Sequence, residues 1–175
     1  MVEPRSGDLP AGFGLRSLMV VAHREAGRAG SRDVRAEHLL LALAVSGTPA
    51  SRVMSDAGLG RDVVEAALRA EREHSLAAVG MPPVPVDRLR ATASAGHPGW
   101  GASAREALLT GRRRAHATRR AAGGAHRARS GSMSELDLLY AILSAELGTV
   151  PRALALAGLD RRVLLHAVDR AAGEP

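Results

Sequence analysis

The feature that most constrains this chain is a stretch in which a charged opening runs directly into an apolar helix. Residues 35–44 read Arg-Ala-Glu-His-Leu-Leu-Leu-Ala-Leu-Ala. Leu39, Leu40 and Leu43 recur at the spacing of one helix face. Asp33 comes just before, where a short acidic side chain can accept hydrogen bonds from free amides and face the positive end of the helix. We therefore expect a helix here whose leucine face is buried.

The same layout returns about 100 residues later. Residues 135–143 read Glu-Leu-Asp-Leu-Leu-Tyr-Ala-Ile-Leu, and the apolar positions of the two stretches coincide when His38 is aligned with Asp137. After one inserted residue, Gly58 aligns with Gly158, and a leucine follows each glycine. An internal repeat indicates the architecture of a chain more directly than the local pattern of any single segment does. The sequence therefore predicts two copies of one multi-helix unit.

Composition supports an all-α fold. Hydrophobic residues make up 46% of the chain and aromatic residues only 2%, so the core must consist of leucine, alanine and valine. Such residues suit closely packed helices and argue against a β-sandwich. Cysteine is absent, which excludes disulfides and a thiolate nucleophile. The longest apolar run, residues 39–45, is too short to span a bilayer, and residues 1–12 lack the pattern of a signal peptide. We expect a cytoplasmic protein that does not enter a membrane.

The repeat divides the chain into segments. We expect a flexible tail over residues 1–12, a first repeat over 13–74, a linker over 75–101 and a second repeat over 102–172, with 13–172 forming one folded domain. Ser103 is the predicted N-cap of the first helix of the second repeat. Trp100 is expected to pack at the boundary between the repeats.

Each repeat is expected to hold four helices. An excess of about eight residues in the second repeat is assigned to a basic loop or a helix extension over residues 119–131. The expected helices cover about 14–29, 35–46, 49–57 and 60–74, then 103–122, 134–146, 150–157 and 160–172.

The motif of the first repeat resembles a known family. Residues 37–43, E-H-L-L-L-A-L, resemble the core of the Clp repeat, which occurs twice in the N-terminal domain of the ClpA- and ClpC-type unfoldases. The resemblance covers roughly residues 13–74 and 102–172. It implies eight helices in two pseudo-symmetric sets of four, and a module that docks adaptors and substrates rather than a catalytic domain. In the second copy, Asp137 replaces the motif's histidine and Leu136 its glutamate.

No catalytic motif is present in the sequence. The phosphate-binding pattern G-x-x-x-x-G-K-[ST] is absent, so we expect a non-catalytic, stand-alone protein that lacks the ATPase modules of a complete unfoldase. No cofactor is expected. The seven histidines show no metal-type spacing, and no metal is expected. His38 is interpreted as a residue that packs or bonds locally at a helix start.

Glu37 is the main candidate for ligand binding. In ClpC-type domains the glutamate of this motif helps to bind phosphorylated arginine: a carboxylate takes the guanidinium and helix N-terminal amides take the phosphate. The resemblance gives this role to Glu37, with Arg35 facing the phosphate. In the second repeat Glu135 is displaced by one position, which turns a helical side chain by about 100°. We therefore predict one weak site, with Glu37 exposed in the first turn. Stabilisation of the helix dipole, at roughly 0.3–1 kcal/mol, is the equally weighted alternative for Glu37.

The basic charge is concentrated in one segment. Residues 105–129 hold eight arginines and one glutamate, whereas the whole chain has a net charge of +6. Every basic residue is arginine, and lysine, asparagine and glutamine are all absent, as a GC-rich genome would produce. With so few aromatic residues, the chain offers no platform on which bases could stack, and a solvated helix face is the favoured interpretation. The basic cluster comprises Arg112, Arg113, Arg114, Arg119 and Arg120.

Two functional hypotheses follow. The first is a protein-interaction module of the Clp proteolysis system, a chaperone-associated regulator of ATP-dependent proteolysis. Its partners would be Clp components, adaptors, substrates that include arginine-phosphorylated proteins, or cyclic-peptide and small-molecule ligands. The alternative is a basic protein that binds nucleic acid or an acidic partner through residues 105–129.

Overall fold

The computed structural model describes residues 14–82, 97–121 and 133–173. Within these ranges the chain forms eight helices and two strands of two residues each, which confirms the predicted all-α fold. The elements in chain order are α1 (Leu15–Arg28), β1 (Asp33–Val34), α2 (Ala36–Ala44), α3 (Pro49–Asp56), α4 (Arg61–Ala78), β2 (Gly99–Trp100), α5 (Ala102–Ala121), α6 (Glu135–Ser144), α7 (Thr149–Leu156) and α8 (Arg161–Gly173).

The helix contacts repeat between the two halves. Helices α2 and α6 pack against each other, α1 packs on α2, and α5 packs on α6. Helix α4 packs on α7, and its counterpart α8 packs on α3. The helices α1 to α4 correspond in order to α5 to α8. When each helix is replaced by its counterpart, every one of these contacts is again a contact of the structure. The internal repeat in the sequence is therefore a pseudo-twofold arrangement of two four-helix units.

The turns that end α3 and α7 are the same in detail. Gly58 and Gly158 both have positive φ angles, 73° and 69°, which glycine adopts without steric cost. The next residue in each half donates its amide hydrogen back into the preceding helix: Leu59 to the carbonyl oxygen of Met54 at 2.7 Å, and Leu159 to that of Leu154 at 2.9 Å. This is the hydrogen bonding of a glycine C-terminal cap. Because both turns have it, α4 and α8 begin in equivalent directions relative to the helices before them.

The core lies where α2 and α6 meet. Their apolar stripes are at most 1% exposed, as the leucine spacing predicted, and the residues are Leu39, Leu40, Leu43, Leu138, Leu139, Ile142 and Leu143.

Small residues allow the first helix of each half to approach this core closely. Ala22 and Ala26 of α1 are completely buried. In α5, Gly111 has the same function: a Cβ atom added there would lie 2.5 Å from the sulfur of Met133 and 3.2 Å from the carbonyl oxygen of Asp137. A side chain larger than hydrogen at this position would push α5 away from α6.

A parallel strand pair joins the linker to the first half, and it was not predicted. Asp33 pairs with Gly99 and Val34 with Trp100. The indole of Trp100 makes an edge-to-face contact with the ring of His23 in α1, with centroids 4.9 Å apart. Trp100 therefore packs on the first half, and its expected position at the boundary between the halves stays a prediction.

Two boundary predictions were wrong. Helix α4 does not stop near residue 74, because residues 75–78 are good helix formers and the helix continues to Ala78. Ser103 is not an N-cap: α5 begins at Ala102, and the carbonyl oxygen of Gly101 accepts from the amide of Arg105 at 3.1 Å.

Several expectations lie outside the described residues. These are the tail over residues 1–12, most of the linker and the greater part of the basic segment 119–131. The described part of that segment continues α5 as far as Ala121, so at least the beginning of the inserted sequence extends the helix.

The buried stripe predicts the stability of a core variant. Leu40 is 1% exposed, so Leu40→Ala should lower the free energy of unfolding by roughly 2–5 kcal/mol. The matched control is Leu147→Ala, since Leu147 is 90% exposed and its loss should change stability by less than about 0.5 kcal/mol. Chemical denaturation followed by circular dichroism measures both, and an unchanged midpoint for Leu40→Ala would mean that the core is placed wrongly.

Candidate functional site

The start of α2 is held by two hydrogen bonds from outside its helical ladder. The amide of Arg35, the N-cap residue, donates to Nδ1 of His38 at 2.9 Å. The amide of Ala36 donates to the hydroxyl oxygen of Ser103 at 3.2 Å. Ser103 therefore caps a helix of the other half instead of its own. Asp33, the predicted cap of α2, lies in β1 instead, because the strand pair carries it away from the helix end.

The corresponding helix start in the second half uses the same geometry with different chemistry. The amide of Ser134 donates to a carboxylate oxygen of Asp137 at 2.9 Å, and the amide of Asp137 donates to the hydroxyl of Ser134 at 3.1 Å. Asp137 is thus the structural equivalent of His38, since both accept from the N-cap amide three residues earlier. This explains how aspartate can replace the motif's histidine without loss of the helix start.

His38 is a buried, neutral capping residue. Its side chain is 4% exposed, and burial, reinforced by the charge of Arg35, lowers the pKa of His38 to about 4. The hydrogen bond from Arg35 requires an unprotonated Nδ1, which is the form that such a pKa maintains at neutral pH. The predicted role of His38, local bonding and packing at a helix start, is confirmed.

Glu37 is half-buried, so the expectation that it is exposed was wrong. It lies in the first turn of α2, where α4 shields it on one side and α5 and α7 approach on the other. Burial raises the pKa of Glu37, while a backbone hydrogen bond and the charge of Arg35 lower it in part. Glu37 lines two cavities at the start of α2.

The larger of the two cavities is rich in arginine. This surface, which we call the arginine groove, has a volume of about 690 Å³ and is lined by Arg35, Glu37, Arg69, Arg72 and Arg152, among others. Arg152 is already paired: its guanidinium lies 2.7 Å from the carboxylate of Glu71. Within the part of the chain that the structure describes, Arg35, Arg69 and Arg72 form no ion pair. Two further carboxylates line the groove, and both are paired: Glu71 with Arg152 and Glu65 with Arg61. Among the described residues, the groove thus presents three arginines without an ion pair beside the half-buried carboxylate of Glu37.

The smaller cavity lies between the two halves. This inner cleft has a volume of about 300 Å³ and contains two carboxylates, those of Glu37 and Glu106, together with the hydroxyl groups of Ser103 and Thr110. Apolar side chains such as Ile142 line the rest. Its chemistry suits a cationic or amphipathic group rather than an anion.

Within the residues that the structure describes, the second half has no copy of this arrangement. Glu135 is in the first turn of α6 but lines neither the arginine groove nor the inner cleft. Leu136, the true counterpart of Glu37, is partly buried against the core. The structure therefore brings Glu37 and Arg35 together and leaves Glu135 apart from them.

The structure divides the basic cluster. Arg114 is occupied within the fold: its guanidinium lies 2.7 Å from a carboxylate oxygen of Asp169 and 3.7 Å from the centroid of the Tyr140 ring. A guanidinium group of Arg119 lies 3.3 Å from His116 Nδ1. Arg112, Arg113 and Arg120 remain exposed on α5.

Several residues of the site were missed by sequence reasoning. Arg69 and Arg72 are spaced three residues apart and so share a face of α4, which was a usable signal. Arg152 and Glu106 belong to the other half and reach Glu37 only through tertiary packing. No local pattern could have placed them.

Comparison with known proteins gives no assignment. No protein-family model matches the sequence, and no curated protein matches it. Among the described residues, no three His, Asp or Glu side chains are placed to hold a metal ion. No single described helix is long and apolar enough to cross a bilayer; α6 and α7 pass that test only as a pair, with a 78° bend between them.

The burial of His38 predicts a pH-dependent stability. The pKa of His38 is about 4 in the folded state but about 6.5 in an unfolded chain. Below pH 6.5 the unfolded state therefore binds a proton that the folded state does not, and the free energy of unfolding falls as the pH falls towards 4. The contribution of His38 between about pH 7.5 and about pH 5 should be a loss of roughly 2 kcal/mol.

The control is His38→Gln, because glutamine at this position can still accept from the N-cap amide but does not titrate. Glu37 acts in the opposite direction, since its raised pKa favours proton uptake by the folded state, and it is present in both proteins. Denaturation at the two pH values should show a smaller loss for the variant. Equal losses would show that His38 is protonated as readily in the folded protein as in the unfolded one.

Proposed function

We propose that this chain is a non-catalytic protein-interaction module of the Clp proteolysis system and that it acts in the cytoplasm. Its partners are adaptors, substrate proteins or peptide and small-molecule ligands of Clp N-terminal domains, and it engages them through the surface around Glu37. The eight-helix, two-unit architecture agrees with this proposal but does not by itself assign a function.

The observation that carries the proposal is the position of Glu37 in the arginine groove. Arg35 and Arg72 act electrostatically on this half-buried carboxylate, and neither forms an ion pair within the described residues. A guanidinium group brought by a partner would neutralise Glu37 and offset the cost of its burial. A phosphate on that guanidinium would lie among Arg35, Arg69 and Arg72, which can bind it through paired N–H donors. The ligand class that satisfies both sets of charges is a phosphorylated arginine in a protein chain.

The alternative function, binding of nucleic acid or an acidic partner through residues 105–129, has less support. Arg114 is occupied by Asp169 and Tyr140, and the exposed arginines that remain on α5 have no aromatic residue among them on which a base could stack. The rest of the segment, residues 122–129, lies outside the described residues.

Titration with phosphoarginine tests the proposal. Isothermal calorimetry should give weak binding with a stoichiometry near one, because Glu37 has a leucine as its counterpart. Glu37→Ala should abolish the binding by removing the partner of the guanidinium group. Glu135→Ala is the matched control and should bind as the wild type does, since Glu135 lies outside the groove.

Equal binding by the wild type and Glu37→Ala, or no binding by either, would reduce Glu37 to a helix-start residue and refute the proposed ligand. A pull-down from lysate with and without nuclease separates the alternative. Bound material that nuclease removes, and that an Arg112→Ala/Arg113→Ala variant fails to retain, would favour nucleic acid.

A further inference from the structure

Two helix interfaces of this fold are equivalent by pseudo-symmetry but differ in one ion pair. Helix α4 packs on α7, and α8 packs on α3. Counting 100 residues along the chain relates Arg52 of α3 to Arg152 of α7 and Glu71 of α4 to Ala171 of α8. The members of each pair occupy equivalent places in the two interfaces.

A buried carboxylate, which also lines the arginine groove, joins α4 to α7. Glu71 is 4% exposed. It accepts from Nε of Arg152 at 2.8 Å and from the hydroxyl of Ser75 at 2.8 Å. The neighbouring Ala67 and Ala153 are 5% and 2% exposed. Here an acidic side chain from one half is bound by an arginine from the other half.

The α3–α8 interface has the arginine but not the carboxylate. Ala171 occupies the position of Glu71, and within the described residues Arg52 forms no ion pair. A groove of about 660 Å³ runs along this interface, similar in volume to the arginine groove, and is lined by Arg52, Arg170 and apolar side chains such as Val53. Ala167 and Ala171 are only partly buried. Ala67, the counterpart of Ala167, is buried, with 5% of its surface exposed.

We propose that this α3–α8 groove binds an acidic side chain of a partner protein at the place that Glu71 fills in the other half. Arg52 takes the carboxylate, as Arg152 takes that of Glu71, and Arg170 adds a second positive charge where the other half has alanine. Asp56 also lines the groove, so the two arginines exceed the acidic charge by one. The apolar floor accepts the aliphatic part of the incoming residue and its apolar neighbours. The groove is separate from Glu37 and does not depend on the function proposed for that residue.

Variants of the protein itself test whether Arg52 reaches a carboxylate at position 171. Ala171→Glu supplies the missing carboxylate, and Ala171→Gln is the matched neutral control. Ala171→Glu should have the higher melting temperature of the two at low salt, and the difference should disappear in an Arg52→Gln background. An equal melting temperature for the two variants with Arg52 present would show that Arg52 does not reach this position, and would overturn the proposal.

Binding is tested with a blocked acidic peptide, acetyl-Leu-Glu-Glu-Leu-amide, and its matched control acetyl-Leu-Gln-Gln-Leu-amide. In a two-dimensional amide NMR titration at low salt, the acidic peptide should shift the resonances of Arg52 and Ala171 and bind at least fivefold more tightly than the control. Ala171→Glu and Arg52→Gln should each weaken it at least fivefold.

Three results would contradict the proposal: no shifts with the acidic peptide at millimolar concentration, equal binding of the two peptides, or unchanged binding to both variants. Self-association of the wild type that Ala171→Glu abolishes in sedimentation would assign the groove to a second copy of the chain, and would likewise overturn the stated occupant. Phosphoarginine binding at Glu37 should be the same in Ala171→Glu as in the wild type, which keeps the two sites distinguishable.

Discussion

The packing of α2 against α6 is the contact on which the rest of the structure depends. Both helices are nine or ten residues long, too short to be stable alone in water, so they persist because their leucine faces are buried together. Helices α1 and α5 pack onto the outer sides of this pair, and α4 and α8 return to it from the ends of α3 and α7. The aromatic content of the chain is only 2%, and the core is correspondingly built from leucine and small residues that bring helix backbones close together.

Pseudo-symmetry fixes backbone positions, and substitutions at equivalent positions then give each half its own chemistry. His38 and Asp137 accept the same hydrogen bond, so that exchange is neutral for the fold. Glu37 has Leu136 as its counterpart, which leaves one carboxylate at the site instead of two. Glu71 has Ala171 as its counterpart, so the α4–α7 interface holds an arginine–carboxylate pair, whereas Arg52 at the α3–α8 interface forms no ion pair within the described residues. The positions where the halves differ in charge are therefore the positions where ligands and partners are proposed to bind.

The sequence predicted the parts of the structure that local patterns encode. The leucine stripe, the glycine caps and the repeat spacing predicted the eight helices and their division into two four-helix units. The strand pair could not be predicted, because a strand of two residues is too short to show alternating apolar and polar residues. Arg114 was grouped with free arginines because Asp169, its partner, is distant in sequence, and Glu37 was expected to be exposed because the helices that shield it come from later in the chain. These three errors concern contacts that only tertiary packing creates.

If α2 and α6 form one shared core, the two halves must unfold together. Native-state amide hydrogen exchange tests this most directly. The amides of Leu41 and Leu43 in α2 and of Ile142 and Leu143 in α6 should all exchange with the free energy of global unfolding, and with the same dependence on denaturant. Exchange of one helix by a smaller opening, while the other keeps global protection, would show two independent halves and contradict the account.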